Sequence, residues 1–217
     1  MFKNITNSSK IIWFLGVVAI TITTIVSTKI NLLSITTLVG GVLGFSSVVY
    51  IVNRNWFAGV SGLLSAIIYI ILAVIAHNPS DAILNALFIA VLDLPIIFSK
   101  EWKNDSKPKG LDWSNGGLLL LIWLISFLFL MFIEIKLGMP RVIWSPLAGS
   151  LGVTAAVSTS FMRVKQGFFI WSAQNIIQVI LWSITAYQGD SSWVLAITYL
   201  FYTINASSSF FNGKWFK

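Results

Sequence analysis

Long apolar segments with almost no charge dominate the sequence. A helix needs roughly 20 apolar residues to cross the hydrocarbon core of a bilayer, and about 17 still suffice. Lipid offers no hydrogen-bond partners, so a segment that crosses it must pair its backbone groups internally, as a helix does. Eight segments meet or nearly meet this length: Ile11–Ser27, Leu32–Val52, Trp56–Ala76, Ala82–Phe98, Leu118–Ile135, Val142–Met162, Phe168–Tyr187 and Trp193–Phe211.

The composition agrees with a bilayer as the solvent. Of the 217 residues, 57% are apolar and 10% are charged, whereas soluble domains carry about 25% charged residues. The sequence therefore predicts an all-α, polytopic membrane protein with about eight transmembrane helices. It contains no cysteine, and His77 is its one histidine, so neither disulfides nor a Cys/His metal site is expected. No cofactor and no catalytic constellation are predicted.

The basic residues predict the orientation of the chain. When the N-terminus is placed in the cytoplasm and the loops alternate sides, all but Lys29, Lys136 and Arg141 of the 14 Lys and Arg residues fall on the cytoplasmic side. Cytoplasmic loops of membrane proteins carry such an excess of Lys and Arg. Both termini are therefore expected in the cytoplasm. The net charge of +7 is interpreted as this topology signal, and no nucleic-acid partner is expected.

Tryptophans mark the ends of several segments. They lie at the segment ends or just beyond them, as in the aromatic belts at membrane–water interfaces. We predict an interfacial position for Trp56, Trp102, Trp113, Trp193 and Trp215.

The two halves of the chain resemble each other weakly. A charged linker at 99–117 divides the chain near its middle. A shift of 113 residues, the separation of Trp102 and Trp215, superimposes the segments and loops of the two halves. The repeat contains four crossings, an even number, so both halves enter the membrane from the same side. Parallel repeats of this kind often enclose a substrate site near the midplane.

Amides interrupt the seventh apolar segment. Phe168, Trp171, Asn175, Gln178 and Trp182 recur at spacings of 3 and 4 residues, which places them on one face of a helix. An amide without a partner in hydrocarbon costs roughly 4–8 kcal/mol, so this face must meet protein, water or a ligand. It either bonds to other helices or forms a site whose rings stack a flat ligand while its amides bond the ligand's edge.

Other segments add candidate residues. Tyr199, Tyr202 and Asn205 of the last segment are predicted to contribute to the same site. Asp93 lies within the fourth segment, where a carboxylate is a functional candidate by default. It either couples transport to protons or reaches the nearby interface. The equivalent face in the first half is less polar, because the counterparts of Asn175, Gln178 and Trp182 under the shift are Gly62, Ser65 and Tyr69. One ligand per chain is expected.

The segment Phe168–Asn175, with Trp182, Tyr199, Tyr202 and the closing Gly213-Lys-Trp215, resembles the C-terminal half of the PnuC family. These bacterial vitamin transporters are best known for nicotinamide riboside. The family signature Trp-x-x-Trp-x-x-x-Asn falls on Phe168, Trp171 and Asn175, so Phe replaces the first Trp here.

The resemblance implies a fold and a division of the chain. The family is similar to a full-length, parallel-repeat version of the SWEET transporters, with two three-helix bundles, a linking helix and, in some members, an extra N-terminal helix. This chain would divide into an extra helix at 1–30, a first bundle with its linker loop at 31–110, a linking helix at 111–141 and a second bundle at 142–217.

The resemblance also implies a function. The expected activity is facilitated diffusion of nicotinamide riboside across the bacterial inner membrane, with trapping by intracellular phosphorylation that feeds NAD synthesis. Related vitamins or nucleosides (thiamine, riboflavin, a deoxynucleoside), with or without proton coupling, are the alternatives. An intramembrane enzyme or a scaffold is the alternative from another class. The partners expected are the vitamin and the lipid bilayer, and homo-oligomerisation is left open.

Overall fold

Helices account for most of the described residues. The computed structural model describes residues 5–75, 79–104, 106–139, 143–188 and 193–216; His77 lies outside these ranges. The helices in chain order are α1 (Asn7–Ser27), α2 (Leu32–Val52), α3 (Phe57–Ile75), α4 (Pro79–Phe88), a π-helical turn (Ile89–Asp93), α5 (Leu94–Phe98), α6 (Lys100–Lys103), α7 (Trp113–Lys136), α8 (Trp144–Ser160), α9 (Gly167–Tyr187) and α10 (Trp193–Asn212). Since no strand occurs among the described residues, the all-α prediction is confirmed.

Side-chain caps explain where several helices begin. The Thr6 hydroxyl accepts a hydrogen bond from the Ser9 N–H at the start of α1. Asn31 and Ser34 form a capping box at the start of α2, and Asp112 accepts from the backbone of α7. Each cap pairs an N–H group that the helix itself leaves without a partner.

Seven helical segments within the described ranges are long and apolar enough to cross a bilayer. The remaining predicted crossing is α8, which has 17 residues. It is rich in Ser, Thr, Gly and Ala, and most of its side chains are buried. A helix surrounded by protein needs little apolar surface of its own, which is why its hydropathy signal is weak.

The fourth segment is not one regular α-helix. α4 passes into the π turn, and α5 continues the segment with Pro95 in its first turn. The Ser160 hydroxyl of α8 donates to the carbonyl of Val91 within the π turn. Isolated π turns change the direction of the side chains that follow and often occur at functional sites.

The helices pack as two groups with cross-contacts. α2 and α3 lie together with α4, the π turn and α5, whereas α8, α9 and α10 form the other group. α7 packs against α8, and α2 contacts α10 across the groups. α1 packs against α2 and α10, where Gly16 leaves room for the ring of Phe45. The N-terminal helix is therefore part of the packed body.

Two of the five predicted interfacial tryptophans are buried. Trp113, Trp56 and Trp193 are exposed, but Trp102 and Trp215 are only 1% and 2% exposed. The indole N–H of Trp102 donates to the carbonyl of Ser160 at 3.2 Å, and that of Trp215 donates to Ile51 at 2.7 Å. The belt prediction is wrong for these two residues, because each indole finds its partner in the protein.

Candidate functional site

A cavity of about 230 Å³ lies between the two groups of helices. One water needs roughly 10–15 Å³ by this kind of measure, so the space is sufficient for an organic ligand. Residues of α2, α3, α4 and the π turn form one side, and residues of α9 and α10 form the other. Most of the predicted site residues line it: Asp93, Phe168, Trp171, Asn175, Gln178, Trp182, Tyr199 and Tyr202.

The amides of α9 present acceptors without partners. Asn175 and Gln178 are 1% and 6% exposed, and their side-chain oxygens accept no hydrogen bond from the described residues. Gln174 is 3% exposed, and its side-chain oxygen likewise accepts no hydrogen bond from the described residues. The interpretation that Asn175 and Gln178 bond α9 to other helices therefore lacks the contacts it needs. Buried acceptors beside a cavity are suited to bond a ligand.

Aromatic rings surround these amides. The indole N–H of Trp171 donates to the Thr159 hydroxyl at 3.4 Å, a long bond, and its ring lies 6.4 Å from that of Phe88. On α10, the ring of Tyr202 stacks on Phe45 at 5.8 Å and meets the edge of Tyr199 at 5.3 Å. These contacts restrain the rings, so the cavity wall needs little rearrangement to receive a flat ligand.

The cavity ends at Phe168 on the side of the bundle where α2 and α8 terminate. Phe168 is 2% exposed and packs edge-on against Trp215 at 5.2 Å. Trp215 in turn lies 5.7 Å from Trp102. The guanidinium of Arg163 lies 5.1 Å from the Trp102 ring and 5.9 Å from the Trp215 ring, and it donates to the carbonyl of Ser106. We call Trp102, Arg163 and Trp215 the inner plug.

Asn205 differs from the other predicted site residues. It is fully buried, and neither its side-chain oxygen nor its nitrogen has a hydrogen-bond partner among the described residues. The next residue, Ala206, lines the cavity, but Asn205 itself does not.

Several lining residues were missed by the sequence prediction. Gln174 lies three residues after Trp171 and four before Gln178, so the same helical spacing contained the signal for it. Asp81 and Asn85, on α4, were missed as well, although they lie four residues apart and so share a helix face.

The first half of the chain contributes lining residues at the positions that the shift of 113 residues predicts. Gly62, Ser65 and Tyr69, the counterparts of Asn175, Gln178 and Trp182, all line the cavity. The Ser65 hydroxyl donates to the carbonyl of Gly40 at 2.8 Å. These three counterparts are smaller or less polar than the residues of α9, and the polar groups of the first half on this wall come mainly from Asp81, Asn85 and Asp93.

Comparison with known proteins agrees with this fold. A solved structure described as the crystal structure of the vitamin B3 transporter PnuC matches with a TM-score of 0.76, covering 95% of this chain and 90% of that chain at 16% sequence identity. Comparison with curated proteins gives no match. The family model of the nicotinamide mononucleotide transporter matches residues 34–217. The expected resemblance and the expectation of a transporter rather than an enzyme are confirmed: the chain belongs to the nicotinamide mononucleotide transporter family.

Proposed function

We propose that this protein carries nicotinamide riboside across the bacterial inner membrane by facilitated diffusion. The main support is the set of buried amide oxygens of Gln174, Asn175 and Gln178. These residues line an aromatic cavity, and the oxygens have no hydrogen-bond partner among the described residues. The carboxamide of nicotinamide and the ribose hydroxyls are donors that suit these oxygens. Family membership and the vitamin B3 transporter of the same fold support the same substrate.

In this proposal the rings of Trp171 and Phe168 hold the pyridine ring, and Trp182, Tyr199 and Tyr202 enclose the rest of the ligand. Asn205 lies outside the cavity lining, so the proposal gives it no contact with the ligand. Phosphorylation inside the cell traps the vitamin and commits it to NAD synthesis, so the protein needs no energy source of its own.

We infer that the chain is built from two parallel bundles, at 31–110 and 142–217, with an extra helix at 1–30 and a linking helix at 111–141. The inner plug supports this division, because Trp102 bonds the end of α8 and Trp215 bonds the end of α2. Non-glycine residues with positive φ, Arg54 at 52° and Arg163 at 53°, follow the same two helices. Rocking of the bundles about the cavity would alternate access to it.

The orientation with both termini in the cytoplasm is part of the proposal. The bonds of the inner plug bring the ends of α2, α6, α8 and α10 to one end of the molecule. Arg54, Lys100, Arg163 and Lys214 therefore lie near that end, which agrees with an excess of bases on the cytoplasmic side.

Isothermal titration of the purified protein with nicotinamide riboside, thiamine, riboflavin and a deoxynucleoside tests the substrate. We expect nicotinamide riboside to bind most tightly. Asn175→Leu and Trp171→Ala should each weaken its binding at least tenfold, about 1.4 kcal/mol, because a ligand partner or stacking ring is lost. The matched controls are Ala173→Leu and Phe169→Ala, at exposed positions of α9. Unchanged binding in both site variants would contradict the proposal.

Uptake into liposomes tests the mechanism. Facilitated diffusion predicts that labelled vitamin equilibrates without accumulating, and that a proton gradient leaves the initial rate unchanged. Accumulation driven by the gradient would instead support the proton-coupled alternative.

A further inference from the structure

Asp93 lies on the wall of the cavity although it belongs to a membrane-spanning segment. It is 2% exposed, closes the π turn and is among the lining residues. It lies far along the segment from Asp81, about 18 Å by the rise of a helix. The bond from Ser160 to Val91 places the π turn beside the end of α8, so Asp93 is near the same end of the cavity as Phe168.

The neighbours of Asp93 leave room for its carboxylate without neutralising it. Its Oδ1 occupies the space that a Cβ on Gly62 would fill, and the Ser47 hydroxyl lies close to the same point. That hydroxyl donates to the carbonyl of Ala58 at 2.8 Å. Among the described residues that line the cavity there is no Lys, Arg or His.

A carboxylate in this position favours a positive charge in the cavity. Removing an ion from water is costly unless an opposite charge compensates it, and the membrane interior makes the cost larger. The faces of Trp171 and the tyrosine rings attract cations as well. The unpartnered oxygens of Gln174, Asn175 and Gln178 add negative ends of dipoles to the same space. All of these groups act in the same direction.

We propose that Asp93 is a specificity-determining residue that selects ligands whose heteroaromatic ring carries a fixed positive charge. The inference rests on the proposed function, since the pyridinium ring of nicotinamide riboside carries such a charge. The carboxylate shares the cavity with the ring of Trp171 and balances the cation while it is held between the bundles. Rings of the same shape without the charge are bound more weakly.

The test compares two ligands that differ mainly in charge. Nicotinamide riboside is a cation, and its reduced form, dihydronicotinamide riboside, is neutral and nearly isosteric. Titration of the full-length wild-type protein should show at least tenfold tighter binding of the cation. Asp93→Asn should weaken binding of the cation at least tenfold and change binding of the neutral ligand by less than about twofold. These thresholds correspond to roughly 1.4 kcal/mol for each factor of ten.

A matched control removes a carboxylate elsewhere. Glu101 lies near the same end of the bundle but is exposed and outside the cavity, so Glu101→Gln should leave both affinities unchanged. Retained binding of the neutral ligand shows that Asp93→Asn is folded. If that variant binds neither ligand, an unchanged thermal unfolding midpoint would mean that Asp93 is needed irrespective of ligand charge, which overturns the inference. A lowered midpoint would assign it a structural role, with the same consequence.

The outcomes separate this inference from the proposed function. Equal binding of the two ligands by the wild-type protein, or an equal loss of both in Asp93→Asn, would overturn charge selection while nicotinamide riboside transport stands. A preference for riboflavin, whose ring system is neutral, would overturn both. Failure of the wild-type protein to bind either riboside would refute the proposed function and remove the basis of this inference with it.

Discussion

Gly62 shows how closely single residues control the shape of the cavity. It lies on α3 and faces the Oδ1 of Asp93 and the hydroxyl of Ser47. A side chain at this position would overlap the carboxylate. The absence of a Cβ therefore allows Asp93 to remain on the cavity wall, and the counterpart of Gly62 in the second half is Asn175, which also lines the cavity.

Replacing Gly62 by Ala should displace the Asp93 carboxylate. We expect a loss of about 1–3 kcal/mol in unfolding free energy, the usual cost of overpacking, and weaker binding of nicotinamide riboside. Thermal unfolding in detergent and titration measure the two effects. Gly117→Ala is the control, because no heavy atom lies within 4 Å of the point that its new Cβ would occupy. A Gly62→Ala protein with wild-type stability and binding would show that Asp93 moves aside without consequence.

At the scale of elements, the inner plug joins the ends of helices from both groups. Trp102 follows α5 on the short helix α6, and Trp215 follows α10, yet both lie inside the protein. Each indole bonds the final turn of a helix in the other group. Because Phe168 packs on Trp215, the plug forms the support beneath the cavity.

Replacing Trp215 by Phe should preserve the ring but leave the carbonyl of Ile51 without its donor. A buried acceptor without a partner costs about 1–3 kcal/mol, so the unfolding midpoint in detergent should fall. Trp113→Phe, at a residue that is 98% exposed, should cause no change. Equal midpoints for the two variants would mean that water replaces the indole donor, and that the plug stabilises by packing alone.

For the whole molecule, the inner plug indicates how many helices cross the membrane. It joins the segment after α5 to the segment after α10, so α10 must end at the same end of the bundle as α5. That arrangement requires α8 to traverse the body like its neighbours, even though its composition is the least apolar. Hydroxyl groups of α8 are paired within the helix itself, as the bonds from Thr154 to the Ser150 carbonyl and from Ser158 to the Ala155 carbonyl show.

The lack of native cysteine makes this topology directly measurable. Single substitutions Lys29→Cys and Leu137→Cys should react with a membrane-impermeant maleimide added outside intact cells. Lys103→Cys and Lys214→Cys should react only after permeabilisation, because an even number of crossings places them on the same side as the N-terminus, which we propose is the cytoplasmic side. The cysteine-free parent protein is the control for background labelling. External labelling of Lys214→Cys with Lys103→Cys still protected would mean that α8 does not cross.

Much of the candidate site could be predicted from one helix. The spacing of Phe168, Trp171, Asn175, Gln178 and Trp182 identifies a face, and all five residues line the cavity. Such a pattern is local, because a helix fixes which of its own residues lie side by side. Asn205 was placed in the site by the same reasoning, but the packing of α10 turns Ala206 rather than Asn205 toward the cavity.

The sequence alone determined that the chain is helical and lies in a membrane, since long apolar segments leave the backbone no other way to pair its polar groups. It also determined which face of α9 is polar. Only the tertiary structure decided that a π turn leaves Asp93 on the cavity wall, and that Trp102 and Trp215 are buried beneath it. These placements depend on contacts between residues far apart in the chain, and no local periodicity contains them.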